Sequence, residues 1–178
     1  MMHTPVSINM NIQLCLVIGV VCGATFSGCR AEMDSGIQHY RNGGSYFGTS
    51  PSRSADGMSF VYSSPRTGNG DIYKVDVDGT TTTRLTSDEM CEYCPSYSPD
   101  GKNVVFISGT YGRQINVMNL ETLDSSRVFS GNFPVSHPEF MPNGETILFL
   151  KESKGRGVGT IALIDRDGSK DREISQTW

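Results

Sequence analysis

Among the 178 residues of this chain, those best equipped for chemistry are its cysteines. Cys91-Glu92-Tyr93-Cys94 forms a C-x-x-C, and Cys29 follows the small residues Ser27-Gly28. A C-x-x-C can attach haem, hold zinc, shuttle electrons or close a bridge. Haem attachment requires histidine directly after the second cysteine, where Pro95 stands. Structural zinc requires two further ligands at suitable spacing, and the nearest candidate is a lone His137. A redox dithiol needs a helix N-terminus to lower its thiol pKa, whereas this pair leads into a strand pattern. An even pair in an oxidising compartment is most economically a disulfide. The sequence therefore predicts a short Cys91–Cys94 bridge, with redox activity as the alternative.

The other reactive side chains make no constellation. His39 and His137 are the only histidines after Cys29, and no triad can be built from them. There is no G-x-S-x-G nucleophile elbow, so no serine hydrolase domain is expected. Asp76-Val77-Asp78-Gly79 and Asp165-Arg166-Asp167-Gly168 have a calcium-like ring, but a full loop needs more acidic ligands and a terminal glutamate. Hairpin turns explain them better. No catalytic residue, metal ligand or cofactor is assigned. Net charge is −4, with both signs interspersed and no basic patch interleaved with aromatics, which argues against a nucleic-acid partner.

The elements that must position these residues come from a repeat of about 43 residues. Pro51, Pro95 and Pro138 are each followed by Asp56-Gly57, Asp100-Gly101 or Asn143-Gly144, and the turn glycines are spaced 44 and 43 residues apart. Such a period marks an array of stacked supersecondary units. After each glycine comes an apolar run: residues 60–62, 104–107 and 147–150. These runs are short, β-branched or aromatic, and bounded by turn residues, so they read as strands buried on both faces. A second run follows at residues 72–75, 115–118 and 161–164. Asp78-Gly79 and Asp167-Gly168 then suit tight hairpins, while the middle unit has Glu121-Thr122 and needs another turn. Closing strands are marked by Leu85, Val128 and Ile174, and opening strands by the three prolines. The expected fold is all-β, with three β-propeller blades of four antiparallel strands.

Pro95-Ser96-Tyr97-Ser98-Pro99-Asp100-Gly101-Lys102, Asp71-Ile72-Tyr73 and Thr83-Arg84-Leu85-Thr86 resemble the TolB-type propeller repeat. The resemblance covers residues 48–175 and implies blades at about 48–88, 92–131 and 135–176. Arg53 stands where that repeat has an aromatic, Asn143 replaces the third turn aspartate, and Gln114 and Thr160 replace the aspartate that begins the second motif. Propellers close with roughly four to eight blades, so three blades imply a piece of a longer ring, a ring completed by a second copy, or ends covered by a partner.

All 15 Lys and Arg and all 19 Asp and Glu lie at or after Arg30. The uncharged start, with an apolar stretch from Leu14 to Phe26, is shorter than the roughly 20 residues of a spanning helix and reads as a secretory signal, starting at Met1 or Met10. Phe26-Ser27-Gly28-Cys29 resembles the lipobox of bacterial lipoproteins, which implies a signal at 1–28, lipidation of Cys29 and an anchored linker at 29–47. Cleavage by an ordinary signal peptidase is the alternative, and either route exports the chain to the periplasm or an outer-membrane anchor.

The loops at residues 65–70, 109–113 and 151–156 are Gly-rich and polar and form the expected recognition edge. The expectation from these readings is a non-catalytic envelope module binding another envelope protein or a wall polymer. The alternatives are an enzyme or enzyme subunit acting on extracellular polysaccharide or peptide, and a truncated propeller fragment with no independent role.

Overall fold

The computed structural model describes residues 50–67, 70–109, 112–152 and 159–174. The expected signal segment, the linker with Cys29, and His39 lie outside them. Twelve strands are present among the described residues: β1 (Ser52–Arg53), β2 (Ser59–Ser64), β3 (Asp71–Asp76), β4 (Thr82–Arg84), β5 (Glu92–Tyr97), β6 (Asn103–Ser108), β7 (Gln114–Asn119), β8 (Ser125–Ser130), β9 (Val135–Phe140), β10 (Thr146–Glu152), β11 (Gly159–Asp165) and β12 (Arg172–Glu173). They form three four-stranded sheets, β1-β2-β3-β4, β5-β6-β7-β8 and β9-β10-β11-β12, each an antiparallel meander. The propeller-blade fold expected from the repeat is the one observed.

The first strands bring the blades together. β5 packs against β1 and β2 on one side and β9 on the other, while the fourth strands are short or mostly exposed. Two apolar cores fill the wedges between blades. The first holds Val61 and Ile72 of blade one against Tyr97, Val104, Phe106 and Met118 of blade two. The second holds Val105, Ile107, Ile115 and Val117 of blade two against Ile147, Phe149, Ala162 and Ile164 of blade three.

Successive side chains of a strand point to opposite faces, so β6 feeds both cores in turn, and all six of its residues are buried. The expectation of burial on both faces fails for the flanking blades. β2 alternates buried and half-buried residues, and so does the start of β10. Blade two is the only one of the three with another blade against each face, and a sheet face without a neighbour keeps contact with water.

Local chemistry sets the turns. Gly57, Gly101 and Gly144 have φ of 75°, 70° and 70°, a region glycine enters without a Cβ clash. In blade two the Ser98 hydroxyl donates to Asp100 Oδ1 at 2.5 Å and accepts from the Asn103 amide at 2.9 Å, while Asp100 Oδ1 accepts from the Lys102 amide at 3.0 Å. Ser54 and Asp56 repeat this in blade one. Blade three has Met141 in the serine position, and Asn143 Oδ1 alone accepts the Glu145 and Thr146 amides. The middle unit's second hairpin does use another turn. Leu123 takes a left-handed φ of 62° and donates its amide to the Asn119 carbonyl at 2.8 Å.

Cys94 and His137 also have positive φ, both 52°, and each precedes the proline of its blade's first strand. Pairing with the second strand shifts register at both places. A bulge there accommodates a residue with no N–H to give the ladder.

Phe149 is fully buried between blades two and three. Phe149→Ala should lower unfolding free energy by about 3–5 kcal/mol, measured by urea denaturation followed by circular dichroism.

Candidate functional site

Strand direction puts the connections into two sets. The Asp-Gly and Asn-Gly turns lie at one end of the blades. The ends of β2, β6 and β10 that lead on to the next strand lie at the other, together with the crossings from blade one to blade two (residues 85–91) and from blade two to blade three (residues 131–134). The strand ends that carry the three loops expected to form a recognition edge therefore share one end. Backbone hydrogen bonds tie this edge from blade to blade: Glu92 N–H to Gly70 O at 2.7 Å and Val135 N–H to Gly112 O at 2.8 Å.

Around residues 64–92 the edge carries a polar seam. Asp71 opens β3 with its side chain fully buried, and Arg84 Nη2 at the end of β4 reaches Asp71 Oδ1 at 2.9 Å. The Thr67 hydroxyl donates to Asp71 Oδ2. Two residues past Arg84, the Thr86 hydroxyl accepts the Ile72 amide at 2.9 Å and hydrogen-bonds the Glu92 carboxyl. The aspartate of Asp-Ile-Tyr and the arginine and second threonine of Thr-Arg-Leu-Thr are thus one blade-closing latch. In the other blades Gln114 and Thr160 stand in the place of Asp71, and neither can form that ion pair.

Glu92 is the residue that sequence reasoning passed over. Only 1% exposed, it faces blade one from the start of β5, and its Oε2 has no hydrogen-bond partner. Burial raises its carboxyl to about 7; the charges of Asp88 and Asp71 add to the rise, while the Thr86 hydrogen bond and Arg84 oppose it. The available signal was its place as a lone carboxylate at the first position of an inner strand.

Aromatic and basic groups complete the edge. Tyr62 and Tyr73 stack with centroids 5.8 Å apart, and the Arg66 guanidinium lies 3.6 Å from the Tyr73 ring centroid. Lys151, read from the sequence as part of a solvated loop, is instead in β10 with its side chain 12% exposed. Its ammonium pairs with Asp171 at 2.8 Å and Glu173 at 3.5 Å and lies 5.8 Å from the ring centroids of Phe129, Phe133 and Phe149. Residues 153–158 lie outside the described residues.

The expected Cys91–Cys94 bridge is not formed. Cys94 is a free cysteine, so it is not bridged to Cys91. Cys94 lies in β5 and Cys91 directly precedes it. An extended chain separates residues i and i+3 by roughly 10 Å, beyond the ~7 Å between Cα atoms that a disulfide tolerates. The Cys94 Sγ lies 3.7 Å from Ser50 Oγ, and burial pushes its thiol pKa up, which disfavours the reactive thiolate. Among the described residues no group of three or more His, Cys, Asp or Glu is placed to hold a metal ion, and His137 sits at its bulge without a catalytic partner in view.

Comparison with known proteins matches residues 36–177 to the family described as the TolB beta propeller domain. An uncharacterized protein of Agrobacterium fabrum is 35% identical over 77 residues, covering 43% of this chain and 26% of that protein. The Tol-Pal system protein TolB of Francisella tularensis is 37% identical over 81 residues, covering 44% of this chain and 19% of that protein. A solved TolB-like structure from Agrobacterium tumefaciens superposes with a TM-score of 0.62 at 29% identity, over 68% of this chain and 47% of that one. TolB from Acinetobacter baumannii shares the fold, with a TM-score of 0.60 at 24% identity over 73% of this chain and 33% of that one. The chain thus spans less than half the length of each of these relatives.

Two outcomes test the seam. Arg84→Ala strands a buried carboxylate, whereas Asp71→Asn leaves an arginine whose side chain is already 36% exposed. The arginine variant should therefore show the lower urea midpoint. Cys94→Ser breaks no bridge, so its unfolding free energy should change by less than about 1 kcal/mol, against the ~2–5 kcal/mol that loss of a native disulfide costs.

Proposed function

We propose, because this chain belongs to the TolB beta propeller domain family, that it is a non-catalytic binding module of the cell envelope that meets its partner through the loop edge. The observation that carries this reading is that the ends of β2, β6 and β10 that lead on to the next strand share one end of a scaffold whose blades are locked together by two apolar cores. Rigid strands hold the loops in register, and loops positioned by such a scaffold are where binding is placed. On the described part of the edge, exposed Arg66 offers a cation to a protein surface, and half-buried Tyr62 offers a ring backed by the buried Tyr73.

The partner in this reading is another envelope protein, with a wall polymer as the other member of the class. The Tol-Pal system named for the Francisella relative supports the protein partner. Export follows from the uncharged N-terminal stretch, and Cys29 is the lipid anchor that holds the blades at the membrane surface, either periplasmic or at the outer membrane. A second copy packed on an outer blade face would extend the ring.

A photo-crosslinking side chain introduced at Arg66 should trap a partner in intact cells, while the same group at Asp78, on the opposite edge, should not. Equal trapping from both positions, or none from Arg66, would sink the loop-edge reading. Cys29→Ala should move the protein from the membrane fraction to the soluble fraction, read by fractionation and immunoblot.

A further inference from the structure

Glu92 stands where nothing about strand formation requires a carboxylate. Its side chain is withdrawn from water, one oxygen is unpartnered, and its backbone amide bonds to Gly70 of the neighbouring blade. The charged groups that act on it most belong to blade one or to the crossing from blade one: Asp71 on β3, Arg84 on β4, and Asp88 in residues 85–91. From blade two the residue opposite it is Ser108, which is uncharged. Arg84 is already committed to Asp71 at 2.9 Å. Among the described residues the seam therefore holds the two buried carboxyl groups and the Arg84 cation, which is paired with Asp71 rather than with Glu92.

A buried carboxylate without a partner carries a desolvation cost that disappears when it takes a proton. We propose that Glu92 is a proton-controlled latch between blades one and two, closed when its carboxyl is protonated and loosened when it ionises, so that the edge at residues 70–72 and 85–92 stiffens in acid and opens in mild alkali. Only a proton moves, from solvent to the carboxylate oxygen and back, and no other reactant is needed.

The sign follows from linkage. The folded chain holds this proton to higher pH than the unfolded chain does, so the contribution to stability is complete below the ordinary carboxylate range. It is lost as the pH rises through about 7. Asp71 cannot substitute, because it is the acceptor of the Arg84 ion pair. Asp88 lies on the exposed side of the crossing and acts on Glu92 through its charge.

The test is amide hydrogen exchange by mass spectrometry on the full chain at about pH 5.5 and about pH 8, corrected for intrinsic exchange rates. Protection in peptides covering residues 70–72 and 85–92 should fall at least about tenfold at the higher pH, the factor that one unit of linked titration supplies. Glu92→Gln, neutral at every pH, should keep the acid-like protection at both. An infrared carboxylic-acid band that titrates near neutral pH in the native chain should be missing in that variant. Should Glu92→Gln fail to fold, Asp88→Asn decides: with one repelling charge gone, the midpoint of the protection change must move to lower pH. Identical pH profiles in the native chain and the variant that folds, or pH-dependent protection spread evenly over all three blades, would overturn the proposal.

Discussion

A flat four-stranded sheet has two faces, and every blade of this protein depends on a neighbour to dry one of them. β6 shows the constraint most plainly. Val104 and Phe106 point into one core and Val105 and Ile107 into the other, so a single strand joins three sheets into one body. Apolar burial at roughly 25 cal/mol per Å² is the main source of stability in such an array, and its nearest-neighbour character makes the middle blade the one on which the others lean. The flanking sheets read as alternating strands for the same reason that the central one reads as continuous.

Polar closure is layered on that apolar frame. The latch formed by Asp71, Arg84 and Thr86 ties the last strand of blade one to its third strand, and the same segment runs directly into Glu92 at the head of blade two. A blade boundary is therefore also a place where titratable groups lose their water. At the opposite end the turns use serine, aspartate and glycine in exposed, locally satisfied networks, and their carboxylates are held below the usual range by hydroxyl and amide donors. The two ends differ in kind: one is a set of self-sufficient hairpins, the other a set of connections that depend on the adjacent blade for hydrogen bonds.

The strands, their order and the turn chemistry were legible because each rests on residues close together in the chain. Gly57 and Gly101 announce left-handed turns, and residues 104–107 announce a strand with no wet face. The Glu121-Thr122 departure announces a different hairpin, which the left-handed Leu123 supplies. The site was less legible. Cys91 and Cys94 look like a bridge as letters, but the extended backbone of β5 holds them apart. Lys151 looks like part of a solvated loop, yet the rings of Phe129, Phe133 and its strand neighbour Phe149 and the carboxylates of Asp171 and Glu173 converge on it.

The amino-acid sequence by itself determined the repeat, the four-stranded blade and the positions of the turns, because strand alternation and turn stereochemistry are local properties of the backbone. Tertiary structure alone decided which polar groups are dry. Asp71 and Glu92 are ordinary acidic residues in the one-dimensional chain, and their burial follows from the packing of blade one on blade two, which places an ion pair beside one and leaves an oxygen of the other without a hydrogen-bond partner. Charge balance at a seam is a sum over neighbours, and those neighbours exist only once the sheets have stacked.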